Sequence, residues 1–209
     1  MSKDWQASVV LITSSDSAIR DFGTGFAIHR EGQMTFVLTC AHVVEAVGGS
    51  ATVKVNDIQA TVVALGAECD IDLAVLSVKG LDQLPLPLGM ACEKGKSFTA
   101  AGFQRFKKEE FLFRPLNGIF GEQVQVGKLT KFVRAWDLKI TDDYQLQPGY
   151  SGSPILDMTS NTIVGVVRTR QGDGQKGLAI SVEALPRIWT SMPPGILSKD
   201  TPTLSITNQ

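Results

Sequence analysis

Pro148-Gly149-Tyr150-Ser151-Gly152-Ser153-Pro154 sets a serine between two glycines and leads into the apolar pair Ile155-Leu156. A serine hydroxyl is a weak nucleophile until an adjacent base takes its proton. Acyl transfer also needs backbone N–H groups aimed at the developing oxyanion. Glycine allows the tight turn and the close approach of substrate that this requires. The N–H groups of Gly149 and Ser151 are the candidates for such an oxyanion hole. Alone, the segment reads equally well as a plain turn, so its meaning depends on whether the chain also supplies a base and a carboxylate.

Leu38-Thr39-Cys40-Ala41-His42-Val43-Val44 puts a histidine just past an apolar strand, at the start of a helical turn. An imidazole accepts a proton near neutral pH. The other histidine, His29, ends Gly25-Phe26-Ala27-Ile28 beside Arg30 and has no partner segment, so it reads as structural. Asp70-Ile71-Asp72-Leu73-Ala74-Val75-Leu76 offers two carboxylates, which point to the same side if the segment is extended. An acid at the mouth of a buried strand needs a partner. Asp72 is preferred because it abuts the apolar run, with Asp70 as the alternative. Cys40 lies two residues before His42, but the preceding Phe36-Val37-Leu38 makes it a core position rather than a nucleophile.

The chain has 209 residues, 43% hydrophobic and 20% charged, enough for one packed domain or two small lobes. A net charge of −1 gives no electrostatic case for nucleic acid or for an anionic membrane surface. No run approaches the roughly 20 apolar residues of a membrane span. The start Met1-Ser2-Lys3-Asp4-Trp5 lacks the apolar stretch of a secretory signal. Cys40, Cys69 and Cys92 cannot all pair, and their spacing matches no zinc pattern. They read as reduced thiols of a cytoplasmic protein, with no metal or cofactor called for.

Short β-branched runs occupy residues 8–13, 25–29, 35–38, 51–55, 61–65 and 73–78, then 97–102, 124–126, 133–140, 162–169 and 178–182. Gly, Asn and Asp punctuate them, which predicts an all-β sandwich or barrel. Residues 79–96, with Pro85 and Pro87, read as a linker between two groups of strands. His42 and Asp72 fall in the first group and Ser151 in the second, so a site using all three lies in the cleft between them. Residues 104–114 read as a solvated surface loop or a mobile loop bordering the cleft. A closing helix is expected over 182–190, and residues 191–209, rich in Pro, Thr and Ser, read as a flexible tail or linker.

Together the three segments resemble the Thr-Ala-Ala-His, Asp-Leu-Ala-Leu and Gly-Asp-Ser-Gly-Gly-Pro boxes of trypsin/chymotrypsin-fold serine peptidases. The resemblance spans roughly residues 8–190, takes in Gly23-Thr24-Gly25-Phe26 and Ile163-Val164-Gly165-Val166-Val167, and lies nearest the HtrA-like intracellular branch without a PDZ domain. It implies two six-stranded antiparallel β-barrels, the first over about residues 5–84 and the second over about 95–182, in a peptidase domain covering 1–190. It implies His42 as general base and acid, Asp72 as the orienting carboxylate, Ser151 as nucleophile, and peptide hydrolysis through an acyl-enzyme. It further implies a primary substrate pocket with Gln145 at its floor and Arg168, Arg170 and Gly177 on its far wall. A neutral Gln145 lacks the counter-charge for Lys or Arg. The two arginines either favour acidic groups in the substrate or face solvent, and their strand offers backbone groups to an extended peptide.

Tyr150 stands where secreted members carry the Asp that pairs with a newly released N-terminus, and the chain has no Ile-Val-Gly-Gly start. No N-terminal processing switch is expected, and control falls to loops, a regulatory partner or a fused sensor domain. The expected function is a serine endopeptidase acting on protein or peptide substrates. The alternative is a catalytically silent trypsin-fold scaffold that binds proteins or peptides. An esterase of another fold is opposed by the order His, Asp, Ser, since α/β-hydrolases run Ser, acid, His.

Overall fold

In the computed structural model, which describes residues 3–90, 92–107, 110–127 and 132–198, the β-branched runs become strands that curl into two barrels. The first uses β1 (Val9–Ser14), β2 (Gly23–Glu31), β3 (Met34–Thr39), β4 (Val53–Val55), β5 (Ile58–Gln59), β6 (Thr61–Leu65) and β7 (Ala74–Lys79). They pair in the order β5-β4-β1-β2-β3-β7-β6. Only Ala60 separates β5 from β6, and its N–H donates to the Val53 carbonyl at 3.0 Å. The two pieces therefore act as one strand, and the sheet closes on itself as a ring.

The second barrel uses β8 (Leu88–Gly89), β9 (Ser97–Arg105), β10 (Phe111–Val126), β11 (Val133–Ile140), β12 (Pro154–Asp157), β13 (Thr162–Gln171), β14 (Lys176–Ser181) and β15 (Leu197–Ser198). The ring β12-β9-β10-β11-β14-β13 is closed by pairing of β12 with β13. The chain thus forms the double barrel of chymotrypsin type. Alternation along the strands sends Val10, Ile12, Phe26 and Leu38 into the first interior, and Phe98, Leu116, Phe120 and Leu138 into the second. Each such side chain contributes about 1.5–3 kcal/mol of hydrophobic stabilisation.

β10 is longer than its sequence pattern suggests. Only residues 124–126 read as strand, because Pro115 and the Asn117-Gly118 pair interrupt the run. At Pro115 the strand pairs with β9 alone, since β11 joins from Gly118 onward. A strand bonded on one edge tolerates a residue without an N–H. The charged segment 104–114 accordingly divides between the end of β9 and the start of β10, with residues 108 and 109 outside the described residues.

α1 (Ala41–Ala46) follows β3 directly and carries His42 in its first turn. The closing segment is a 3-10 turn (Val182–Ala184) running into α2 (Leu185–Ile188). The Ser181 hydroxyl caps it by accepting the Glu183 N–H, and Pro186 sits in the first turn of α2, where a missing N–H costs nothing. Of the expected tail, residues 199–209 lie outside the described residues. Within 191–198, Ile196 is buried and β15 pairs in parallel with β8. No helix among the described residues is long and apolar enough to cross a membrane.

Candidate active site

His42 and Asp72 meet because β3 and β7 are neighbours. The register sets Thr39 opposite Ala74, so the residues just beyond these strand ends share one rim of the first barrel. Asp72 is wholly buried between Ile71 and Leu73. Its Oδ1 accepts the His42 backbone N–H at 3.0 Å and its Oδ2 accepts from the His42 ring Nδ1 at 2.7 Å. A carboxylate only accepts, so Nδ1 carries the proton and Nε2 keeps a lone pair able to accept one. A third donor, Arg168 Nε from β13, reaches the same Oδ2 at 3.2 Å. Burial pushes the Asp72 carboxyl up, but hydrogen bonding and charge from His42, then the charge of Arg168, bring it below its ordinary value.

Ser151 arrives from the second barrel on the turn between Leu146 and β12. Gly149 has φ +103° and Gly152 φ +89°, conformations that glycine adopts without strain. A side chain at Gly152 would be driven into the Thr24 carbonyl oxygen. Thr24 on β2 clasps the turn: its N–H donates to the Ser151 carbonyl at 2.9 Å and its hydroxyl to the Gly149 carbonyl at 2.7 Å. The Thr24 hydroxyl in turn accepts the Phe103 N–H at 3.0 Å, and the Thr24 carbonyl accepts from the Thr39 hydroxyl at 2.7 Å. Among the described residues neither the Gly149 N–H nor the Ser151 N–H has a backbone acceptor. The Ser151 hydroxyl donates to the Arg168 carbonyl at 3.0 Å rather than to His42.

Cys40 belongs to the seam between the barrels. It is fully buried, and its Sγ donates to the Val167 carbonyl at 3.2 Å, which also accepts the Gly152 N–H. Burial, reinforced by the Asp72 charge, pushes the thiol well above its usual range. Ligand atoms of Cys40, His42 and Asp72 lie within 4.8 Å of one another.

The residues expected around the substrate fall on the segment before Ser151 and on β13 and β14. Gln145 lines a cavity of ≈ 670 Å³ with Phe22, Gln104, Arg105, Tyr144 and Pro148. That cavity flanks the Ser151 turn, because the Phe22 ring packs against Gly149. Arg105 lies over the rings of Phe22 and Phe111, at 4.9 and 5.4 Å from their centroids. Gly177 faces the buried side chain of Leu146, the neighbour of Gln145, and is the cross-strand partner of Arg170. Arg168 turns to Asp72, and Arg170 stands exposed three residues beyond Val167 on β13.

The family model described as a trypsin-like peptidase domain matches residues 23–166. The chain belongs to that family. Among solved structures, it is similar to the Rv3671c protease of M. tuberculosis. An inactive serine-to-alanine mutant of that protease aligns with TM-score 0.70 and 23% identity over 91% of each chain. The active form aligns with TM-score 0.67 and 21% identity over 91% of this chain and 84% of that one. A serine endoprotease from Yersinia pestis aligns with TM-score 0.63 and 18% identity, covering 90% of this chain and 64% of that one. A comparison with curated proteins finds no match.

Against the trypsin-like pattern, two residues acquire roles that motif reading alone does not assign. Tyr150 fills the second core beside Ser151, with its hydroxyl on the Arg114 carbonyl at 3.1 Å. The signal for it is the aromatic residue at the position where secreted peptidases of the trypsin type carry Asp. Thr24 is visible only as part of a glycine-flanked strand motif, and its grip on the opposite barrel needs the fold.

Proposed function

We propose that the chain is a serine endopeptidase that cleaves protein substrates through His42, Asp72 and Ser151. The observation that carries the proposal is the doubly bonded His42–Asp72 pair, whose geometry leaves Nε2 as a free base on the cleft that Ser151 enters from the other barrel. In the reaction Ser151 Oγ leaves the Arg168 carbonyl, gives its proton to His42 Nε2 and attacks the scissile carbonyl carbon. Asp72 stabilises the resulting imidazolium. The Gly149 and Ser151 N–H groups receive the oxyanion. His42 then returns the proton to the leaving amine as the C–N bond breaks. Water, deprotonated by the same Nε2, hydrolyses the acyl ester. The three free thiols favour a reducing compartment, the cytoplasm.

A second reading, a silent scaffold that binds peptides, is favoured by one observation: Ser151 Oγ bonds to the Arg168 carbonyl and not to the base. Intact mass after exposure to a fluorophosphonate separates the two. A single adduct on the wild type and none on Ser151→Ala supports the peptidase. No adduct on either supports the scaffold.

A further inference from the structure

Arg168 touches both halves of the triad from one position on β13. Its Nε shares Asp72 Oδ2 with His42, and its Nη2 donates to the Glu68 carbonyl at 2.8 Å. Its own carbonyl holds the Ser151 hydroxyl at 3.0 Å. The carboxylate charge that must stabilise a His42 cation is thus divided with a guanidinium, a group that stays charged at any working pH. At the same time the serine proton points away from its base. The side chain is 23% exposed, so its cation is within reach of a ligand.

The surroundings indicate which ligand. β12 pairs with β13 only as far as Val166, and the last backbone bonds on that side are the Val167 N–H to the Ser153 carbonyl and the Gly152 N–H to the Val167 carbonyl. Beyond them, β13 is bonded on one edge by β14 alone. A bare strand edge accepts an extended peptide by backbone pairing. This edge carries Arg168 and the exposed Arg170, two cations that match an acidic peptide.

On the peptidase reading above, we propose that Arg168 is a latch opened by substrate carboxylates. An extended acidic peptide laid along the free edge of β13 draws the guanidinium off Asp72 into its own ion pair. A peptide N–H takes the Arg168 carbonyl in place of the Ser151 hydroxyl. Asp72 then serves His42 alone, and Ser151 Oγ is free to turn to Nε2. Neutral peptides leave the latch closed and are cleaved slowly.

The test compares wild type, Arg168→Gln and Arg168→Ser, with Ser151→Ala as blank, on peptides that carry Glu or Gln at each position in turn. A fluorophosphonate, which has no carboxylate, is the second probe. The wild type is expected to prefer Glu over Gln at one position by roughly tenfold, the scale of one charge-assisted hydrogen bond. Both neutral variants are expected to lose that preference and to react with the fluorophosphonate roughly tenfold faster than wild type. A Glu preference retained in both variants, or slower labelling of variants that melt like the wild type, overturns the latch and leaves the peptidase standing. Absence of both cleavage and labelling in all three active-serine proteins overturns the peptidase reading and the latch with it.

Discussion

Thr24 of the first barrel holds Ser151 of the second: its backbone N–H donates to the Ser151 carbonyl at 2.9 Å. Its hydroxyl secures the preceding turn through the Gly149 carbonyl and also accepts the Phe103 N–H. Thr24→Val keeps the volume and removes the hydroxyl, leaving two backbone groups without that partner. Each buried unsatisfied group costs about 1–3 kcal/mol. The variant is therefore expected to lose about 2–6 kcal/mol in a denaturant titration, and its fluorophosphonate labelling is expected to slow. A midpoint equal to wild type would show that the clasp does not hold the turn.

Tyr150 anchors the same turn from below, through its ring in the second core and its hydroxyl on Arg114. Tyr150→Phe keeps the ring and is expected to cost about 1 kcal/mol, the worth of one hydrogen bond. Tyr150→Asp is expected to be far more damaging, because an apolar cavity gives a carboxylate no partner. Equilibrium unfolding of the two variants side by side checks this order, and equal losses would contradict it.

The all-β class and the division into two groups of strands are legible in the sequence because alternating β-branched runs are local signals, and the double barrel follows from the resemblance of the three motifs to a family. His42, Asp72 and Ser151 stand out because each lies just outside an apolar strand, His42 after β3, Asp72 before β7 and Ser151 before β12. What stays hidden depends on contacts between distant positions. Arg168 lies 96 residues from Asp72, and nothing in Val167-Arg168-Thr169 says that its side chain turns to a carboxylate rather than to substrate or solvent. Leu146 packing on Gly177, and Gln145 joining Phe22 across the cleft, are likewise products of barrel closure. β10 escapes notice because Pro115 reads as a breaker until one knows that the strand is bonded there on one edge.

The buried pair makes stability depend on acid. The folded protein holds the Asp72 carboxyl below its ordinary value, so the unfolded chain binds more protons between the folded value and the unfolded one of about 3.9. The stabilisation is complete above the unfolded value and drains away as pH falls through the folded one. The stability gap between wild type and Asp72→Asn is therefore expected to be constant at neutral pH and to narrow below about pH 4. Denaturant midpoints measured across that range test it, and a gap that widens on acidification would contradict the sign.

The three thiols are expected to differ in reactivity. Cys69 is exposed, whereas burial, with help from Asp157 and Glu93, pushes the half-buried Cys92 up to about 12. Cys40 is sealed in the seam, where burial also pushes its thiol up. Since the thiolate is the reactive form, native protein treated with iodoacetamide at mild alkaline pH is expected to modify Cys69 first, Cys92 slowly and Cys40 only after unfolding. Peptide mapping by mass spectrometry reads the order, and early loss of Cys40 would mean that the seam opens in solution.

Asp70 and Asp72 offer the sharpest comparison at the site. Asp72 receives both the backbone N–H and the ring Nδ1 of His42, while Asp70 is the half-buried residue two positions earlier. In Asp72→Asn the amide can present its N–H₂ to the ring, which then favours the tautomer with Nε2 protonated and no base for Ser151. A change of that kind in a serine triad lowers kcat by about 10⁴ while leaving the geometry in place. Asp70→Asn keeps the His42 tautomer and is expected to stay within about threefold of wild type, since surface-proximal changes away from the reacting groups move free energies by roughly 0.5 kcal/mol. Peptide hydrolysis and fluorophosphonate labelling of the two variants decide between them. The reverse order would transfer the orienting role from Asp72 to Asp70.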